Sequence, residues 1–309
     1  MRIVFMGTPE FAVPSLKKLV ESRHDIVGVV TQPDRPKGRG LRLTASPVKK
    51  EAQHAGITVF QPDDLKSIEF YEKLKGWRAD CFVVVGFRVL PPEIYEMPPR
   101  GTINLHASLL PKYRGAAPIQ WALIRGEKMT GVSTFFIVRE VDTGDLILQE
   151  GVQIGKEETA GELYDRLAKI GADLLLRTVD LIEMGCVKRV PQNGEKTLAP
   201  KILPEHCKID WQATAERIVN LVRGLSPHPG AYTFWSGKRL KIFRASLLKE
   251  SASLHVQSGT VTKISEEGIV VKTGDGFVFI RELQIEGKRR MSAGDFLRGY
   301  AFPEGQVLG

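Results

Sequence analysis

Short apolar runs alternate with amphipathic stretches along the first half of the chain. Five runs predict strands: residues 2–6, 25–30, 57–60, 80–85 and 101–106. Three intervening segments predict helices: residues 11–21, 46–54 and 117–124. The second of these begins with Ser46 and Pro47, which is typical of an N-cap followed by proline at the first helical position. The alternation predicts an α/β fold with a doubly wound, mostly parallel sheet.

The pattern changes after residue 130. Residues 131–138 and 146–154 predict two strands joined by a polar turn, and residues 159–183 predict a long amphipathic helix. A short helix near residues 213–223 is followed by five further predicted strands: residues 232–235, 240–245, 260–264, 269–272 and 277–283. Turn residues separate these short strands, which indicates a small β-barrel.

The segment between these regions sets the expected domain boundaries. Residues 188–209 contain three prolines, mixed charges and no clear periodicity, as is typical of a linker. A chain of 309 residues is also long for a single core. The sequence therefore predicts a first domain at residues 1–187, a linker at 188–209 and a second domain at 210–309.

Cysteine and histidine patterns give no sign of a metal or a disulfide framework. The three cysteines form no C-x-x-C pair, and the six histidines form no helical pair. The sequence contains no apolar run of about 18 residues and no secretory signal pattern. We therefore expect no metal, no nucleotide cofactor and a cytoplasmic location.

An excess of basic residues is concentrated in one segment. The chain has 44 Lys and Arg residues against 36 Asp and Glu residues, a formal net charge of +8. Residues 34–50 include six basic residues and one acidic residue, and glycines interrupt the run around Lys37, Arg39 and Arg42. A solvated basic loop is the ordinary explanation of such a run. A partner with many phosphates is the alternative.

Two polar side chains lie at the end of the strand predicted at residues 101–106. Asn104 and His106 are two residues apart, so both point to the same face of an extended strand. Open α/β sheets bind ligands at the carboxyl ends of their strands. A carboxylate from the polar turn at residues 138–145 would orient His106 for proton transfer, and Asn104 would offer an uncharged donor to an oxyanion. The ordinary alternative is local backbone bonding and simple turn chemistry.

The candidate chemistry is acyl transfer between two bound substrates. No G-x-S-x-G elbow surrounds Ser108, so a covalent route through that serine is weakly supported. Asn104-x-His106, the segment Ser108-Leu109-Leu110-Pro111 and Asp142-Thr143-Gly144 together resemble the folate-dependent formyltransferases. Residues 7–9, 31–36 and 114–120 are similar too, so the resemblance covers nearly the whole chain and is weakest in the C-terminal barrel.

This resemblance implies a site, two substrates and a fold. It implies a monomer that transfers the formyl group of 10-formyltetrahydrofolate to the α-amino group of initiator methionyl-tRNA. It adds an oligonucleotide-binding-like β-barrel at the C-terminus, which would contact tRNA. The implied catalytic residues are Asn104, His106 and Asp142; the implied folate contacts are Ser108, Leu109, Leu110, Pro111, Arg88, Val89 and Leu90; the implied tRNA contacts are Lys37, Arg39 and Arg42.

Three other functions can be weighed against this one. A nicotinamide dehydrogenase is rejected, because Gly7-Thr8-Pro9 stands where G-x-G-x-x-G would be needed. A non-catalytic nucleic-acid-binding protein would explain the charge and the barrel, but not the set of Asn, His and Asp. A formyltransferase for a sugar nucleotide or another small amine would share that set, but would have little use for the basic segment at residues 34–43.

Overall fold

The computed structural model describes residues 1–37, 42–248 and 256–309. The chain forms two compact units, each with its own sheet. The first unit contains residues 1–116, 130–152 and 164–199, and the second contains residues 117–129, 153–163 and 200–309. The domain boundaries expected from the sequence, 1–187, 188–209 and 210–309, stay a prediction.

A seven-stranded sheet forms the centre of the first unit. The strands in this part of the chain are β1 (Arg2–Gly7), β2 (Asp25–Val30), β3 (Arg35–Lys37), β4 (Arg42–Thr44), β5 (Val59–Phe60), β6 (Cys81–Val85), β7 (Thr102–His106), β8 (Met129–Phe136) and β9 (Leu146–Gln153). The sheet order is β5-β2-β1-β6-β7-β8-β9, while β3 and β4 pair with each other. Strands β5, β2, β1, β6 and β7 are parallel, and β8 is antiparallel to β7. The predicted mostly parallel sheet is confirmed.

Eight α-helices lie within the described residues. They are α1 (Val13–Val20), α2 (Pro47–His54), α3 (Ile68–Trp77), α4 (Pro92–Tyr95), α5 (Pro118–Ile124), α6 (Ala160–Met184), α7 (Ala215–Leu225) and α8 (Ala293–Gly299). Helix α2 begins as predicted, because Ser46 Oγ accepts the Lys49 N–H at 3.0 Å. Helix α3 was missed, since it buries only Phe70 and Leu74 and so has a weak apolar stripe. None of these helices is long and apolar enough to cross a membrane.

The basic segment after β2, which the sequence indicated as a loop, forms a hairpin in the part that the structure describes. Strands β3 and β4 pair antiparallel, with Arg35 opposite Thr44. At the base of the hairpin the Asp34 carboxylate accepts from Lys49 Nζ at 2.7 Å and from Gln61 Nε2 at 2.9 Å. Hydrogen bonds from Lys49 and Gln61 lower the pKa of the Asp34 carboxyl. The arms therefore leave the sheet from a fixed point.

The second unit contains an antiparallel sheet. Its strands are β10 (Ala231–Trp235), β11 (Lys238–Leu248), β12 (Val261–Ser265), β13 (Gly268–Lys272), β14 (Phe277–Ile285) and β15 (Met291–Ser292). The order is β10-β11-β14-β13-β12, and β15 pairs with β14. Alternate residues of β11 and β14 enter the core, which includes Leu240, Ile242 and Leu283.

Residues 305–309 join the two edges of this sheet. The Leu308 N–H donates to the Gly259 carbonyl beside β12 at 2.9 Å, and the Gly309 N–H donates to Phe234 of β10 at 3.1 Å. The terminal segment thus closes the sheet, and the predicted C-terminal barrel is confirmed.

A capping box lies at the start of α6, within the second unit. Thr159 Oγ1 accepts the Glu162 N–H at 3.4 Å, and Glu162 Oε2 accepts the Thr159 N–H at 2.8 Å. Arg244 of β11 donates to the other carboxylate oxygen of Glu162 at 2.5 Å. The Thr159 N–H contributes most, and Arg244 adds to it, in lowering the pKa of Glu162 to about 2.

Candidate active site

Strand β7 carries Asn104 and His106 to its carboxyl end. The strand lies between parallel β6 and antiparallel β8, with Asn104 beside Val84 and His106 opposite Ser133. Its other side chains are apolar or hydrogen-bonded and buried, which fixes the register of the strand. The two-residue spacing therefore places Asn104 and His106 on one face at a ligand-binding edge, as expected from the sequence.

One imidazole nitrogen of His106 has a fixed role. Nε2 lies 2.8 Å from the Tyr113 carbonyl oxygen. A carbonyl only accepts hydrogen bonds, so Nε2 carries a proton and donates it. Tyr113 itself has a positive φ of 61° and is buried. This contact leaves Nδ1 as the ring nitrogen that faces the remainder of the site.

Asp142 comes from the turn between β8 and β9 and approaches Nδ1. Its Oδ2 lies 3.8 Å from His106 Nδ1, and both side chains are 8% exposed. The same oxygen accepts the Gly115 N–H at 2.8 Å. A distance of 3.8 Å exceeds a hydrogen bond, so the carboxylate acts on the ring through its charge. The structure thus brings together the turn and the strand that the sequence pattern connects.

Asn104 presents a buried acceptor. Its Oδ1 is shielded from solvent and has no hydrogen-bond partner among the described residues. Buried polar atoms without partners are rare and indicate strain, a function or a missing ligand. An N–H of a bound substrate would satisfy this oxygen. The site therefore fits a ligand that both donates and accepts at Asn104.

The segment Ser108-Leu109-Leu110-Pro111 is held in place by its neighbours. Ser108 is fully buried and its Oγ donates to the Lys112 carbonyl at 2.6 Å, which does not suit a nucleophile. Ser133 Oγ donates to the Ser108 carbonyl at 2.6 Å and accepts the Leu110 N–H at 3.1 Å. The Leu110–Pro111 peptide is cis. Leu110 packs in a small apolar cluster, so the segment forms a fixed wall after His106.

The three residues after Phe87 differ in the groups that they could present to a ligand. Arg88 donates through its two terminal nitrogens to the carbonyls of Pro62 and Asp63, while its buried Nε has no partner among the described residues. Val89 is 72% exposed, whereas Leu90 is 5% exposed and belongs to the core of the sheet. A ligand here would therefore meet Leu90 chiefly through its backbone.

Of the three residues expected to contact tRNA, two lie in the described part of the hairpin. Lys37 ends β3 and Arg42 begins β4, opposite each other in the hairpin. Arg39 lies outside the described residues.

A separate cluster of His24, Asp180 and Glu183 offers three ligand atoms within 4.8 Å of one another. Both carboxylates already contact cations: Asp180 pairs with Arg23 at 2.9 Å and Glu183 pairs with the Met1 ammonium at 2.7 Å. The cluster is therefore explained as an ion-pair network. Local spacing gave no signal for it, because His24 is far in sequence from Asp180 and Glu183.

Several residues of the site were not selected from the sequence. Tyr113 and Gly115 contact His106 and Asp142 through backbone atoms, which no side-chain pattern reveals. Gln192 lies in the predicted linker and donates to the carbonyls of Asp142 and Gly144 at 3.0 and 2.8 Å. A glutamine in an irregular segment carries no local signal of this contact.

Comparisons with known proteins identify the family of the chain. The formyl transferase family model matches residues 1–179, and the model of the formyl transferase C-terminal domain matches residues 201–301. A solved N-formyltransferase from Helicobacter canadensis, in complex with folinic acid and dTDP-3-aminofucose, has a TM-score of 0.68 at 21% identity, covering 90% of this chain and 97% of that one. Similarity at that identity shows the fold alone.

Closer similarity comes from curated relatives. The methionyl-tRNA formyltransferase of Pelotomaculum thermopropionicum is 52% identical, covering 100% of this chain and 99% of the relative. That of Desulforamulus reducens is 48% identical, covering 100% and 98%. Identity at this level over the full chain, with both domain models matched in order, means that the chain belongs to the methionyl-tRNA formyltransferase family.

Proposed function

We propose that the chain transfers the formyl group of 10-formyltetrahydrofolate to the α-amino group of initiator methionyl-tRNA, for translation initiation. The observation that carries the proposal is the buried approach of Asp142 to His106, on the strand that also presents Asn104. Family membership supports the same reaction. The neutral amine attacks the formyl carbon of the folate, and the bond from that carbon to N10 then breaks. Tetrahydrofolate leaves with a proton on N10, which balances the proton that the amine loses.

Asn104 and His106 are the proposed catalytic residues. Asn104 Nδ2 donates to the formyl oxygen as negative charge develops there, and its buried Oδ1 accepts a hydrogen of the attacking amine. His106 donates from Nδ1 to the same oxygen, because Nε2 is already bound to the Tyr113 carbonyl. Asp142 stabilises positive charge on the ring and orients it, and also helps to relay the amine proton through water.

Two segments are the proposed folate contacts. Ser108, Leu109, Leu110 and Pro111 form the wall that follows His106, and Arg88, Val89 and Leu90 form a second wall. The unpartnered Nε of Arg88 supports a polar ligand at the second wall, since a bound acceptor would satisfy that donor.

Formyl transfer itself is the direct test. Purified protein with labelled 10-formyltetrahydrofolate and charged initiator tRNA should label the methionine. Asn104→Ala should reduce turnover by about 10²–10³ while folate binding is kept, since one oxyanion donor is lost. A folded parent protein without transfer would contradict the reaction. Parent-like turnover in Asn104→Ala would contradict the role of Asn104.

The basic hairpin is the proposed contact with the tRNA acceptor end, through Lys37, Arg39 and Arg42. Replacing Arg39 and Arg42 by Ala should weaken tRNA binding and reduce the salt slope by about 0.7–0.9 per lost phosphate contact. Folate affinity should not change. Lys66→Ala, which removes an exposed lysine elsewhere in the first unit, is the control. If the double variant kept the tRNA affinity and the salt slope of the parent, the hairpin would be an ordinary solvated surface that does not bind tRNA.

We further propose that the enzyme is a cytoplasmic monomer that needs no metal. Charged tRNA is a cytoplasmic substrate, and the cluster at His24 already has its carboxylates paired with cations. Turnover should survive exhaustive chelation once the tRNA is folded, and light scattering should give the mass of one chain. Loss of turnover that one added divalent ion restores would contradict the metal-free reaction.

A further inference from the structure

Residues 192–199, here called the strap, lie against both sides of the candidate active site. Thr197 accepts the Tyr113 N–H through Oγ1 at 2.9 Å and the Arg114 N–H through its carbonyl at 3.0 Å. The Ala199 N–H donates back to the Arg114 carbonyl at 2.7 Å. The strap therefore fixes the segment that supplies the Tyr113 carbonyl to His106 and the Gly115 N–H to Asp142.

Gln192 connects the strap to the other side of the site. Its Nε2 donates to the carbonyls of Asp142 and Gly144 at 3.0 and 2.8 Å. Its Oε1 accepts from Arg114 Nε at 3.2 Å and from Arg114 Nη2 at 2.6 Å. Both ends of the amide are thus used, and Arg114 fixes which end faces the turn.

The turn around Asp142 needs such support. Asp142 has a positive φ of 56°, a conformation that residues with a Cβ adopt rarely. Gly144 lies so close to β8 that an added Cβ would be 1.7 Å from the Phe136 carbonyl oxygen. Backbone in such a conformation persists where its surroundings determine it, and the two bonds from Gln192 lie on either side of Thr143.

We propose that Gln192 and Arg114 are positioning residues for formyl transfer, because they set the distance between Asp142 and His106. The inference rests on the proposed function and adds two residues to it. Neither side chain needs to touch a substrate. Their effect passes through the Asp142 backbone and through the Gly115 N–H that binds the Asp142 carboxylate.

A double-mutant cycle tests this dependence. Gln192→Ala should lower kcat roughly 10- to 100-fold at saturating substrates, as expected when a catalytic group is misplaced by about 1 Å. The KM values for folate and tRNA should change little. In an Asp142→Ala background, Gln192→Ala should have almost no further effect on kcat, since the residue that it positions is already gone. Asn193→Ala, the next and exposed residue of the strap, is the matched control and should behave like the parent.

Gln192→Glu separates positioning from general stabilisation. A glutamate keeps its acceptors for Arg114 but cannot donate to the Asp142 and Gly144 carbonyls. We expect kcat to fall as in Gln192→Ala while the melting temperature stays near that of the parent. Parent-like kcat in Gln192→Glu would overturn the proposal. So would an equal loss from Gln192→Ala with and without Asp142.

The formyl-transfer activity of the parent enzyme distinguishes a failure of this inference from a failure of the proposed function. If the parent does not transfer formyl groups, the function fails. If the parent is active and the cycle shows no coupling, only the positioning role fails.

Discussion

Two carboxylates in this molecule have similar partners and different surroundings. Asp142 accepts the Gly115 N–H and faces His106, while Glu162 accepts the Thr159 N–H and binds Arg244. The first pair is 3.8 Å apart and each side chain is 8% exposed. The second pair is in direct contact at 2.5 Å, with side chains 36% and 48% exposed.

The difference indicates what each pair does. A direct, solvated ion pair stabilises a helix start modestly, because water screens it and competes for both charges. A buried carboxylate held short of hydrogen-bond contact leaves the imidazole nitrogen available to a substrate, while its charge faces the ring. The geometry of Asp142 therefore supports its proposed role in the reaction, whereas that of Glu162 supports a structural role.

Removing the charge of Asp142 and that of Glu162 in separate variants should give the largest difference in turnover. Asp142→Asn should lower turnover by about 10²–10⁴, the usual contribution of a group that supports proton transfer. Glu162→Gln should leave turnover within about twofold, since its carboxylate supports only the start of α6. Steady-state assays on the two variants check this. Similar activity losses in both would remove the distinction between the pairs.

Gly144, in the turn that carries Asp142, should tolerate no added side-chain atom. Gly144→Ala places a Cβ at 1.7 Å from the Phe136 carbonyl oxygen, so the turn must move. A misplacement of about 1 Å would cost roughly 100-fold in turnover. Gly276→Ala is the matched control in a turn of the second unit, where the nearest atom to an added Cβ, that of Ala215, is at 3.8 Å. An active Gly144→Ala enzyme would show that the position of Asp142 is not critical.

Glu162 should show its effect in stability rather than in rate. Glu162→Gln keeps an acceptor for the capping box but removes the negative charge that pairs with Arg244 and favours the helix N-terminus. We expect a loss of about 1 kcal/mol near neutral pH. Denaturant midpoints of the parent and the variant, measured by circular dichroism, check the difference. A variant as stable as the parent would show that solvent screening cancels the contribution of the Glu162 charge.

The pH dependence of that difference is the smallest expected effect. The folded pKa of Glu162 is about 2, below its usual value of 4.5. The carboxylate therefore contributes fully above its unfolded pKa, and the contribution is lost as pH falls towards the folded pKa. The stability gap between parent and Glu162→Gln should shrink between those two values. A gap that is constant with pH would exclude the charge as its cause.

Periodic features of the fold and site could be predicted from the sequence. Asn104 and His106 share a face because strands repeat every two residues, and α6 follows from its leucines at helical spacing. Ser46 and Pro47 correctly predicted the start of α2. In each case the information lies within a few neighbouring residues.

Features that depend on distant backbone atoms could not be predicted in this way. The bonds from Gln192 to the turn at Asp142 join segments that are remote in sequence, and so does the bond from the Tyr113 N–H to Thr197 Oγ1. The hairpin arms are three residues each, too short for a periodic pattern. Helix α8 was missed because its seven residues include two glycines.

The closing segment of the second unit has a consequence for synthesis on the ribosome. Residues 305–309 are made after both strand edges that they join, β10 and β12. Until they leave the exit tunnel, both edges lack these hydrogen bonds and are open to pairing with another nascent chain. The C-terminal sheet therefore becomes a closed surface only after residues 305–309 have been made, and a chain stalled or truncated before them would expose an unpaired strand edge.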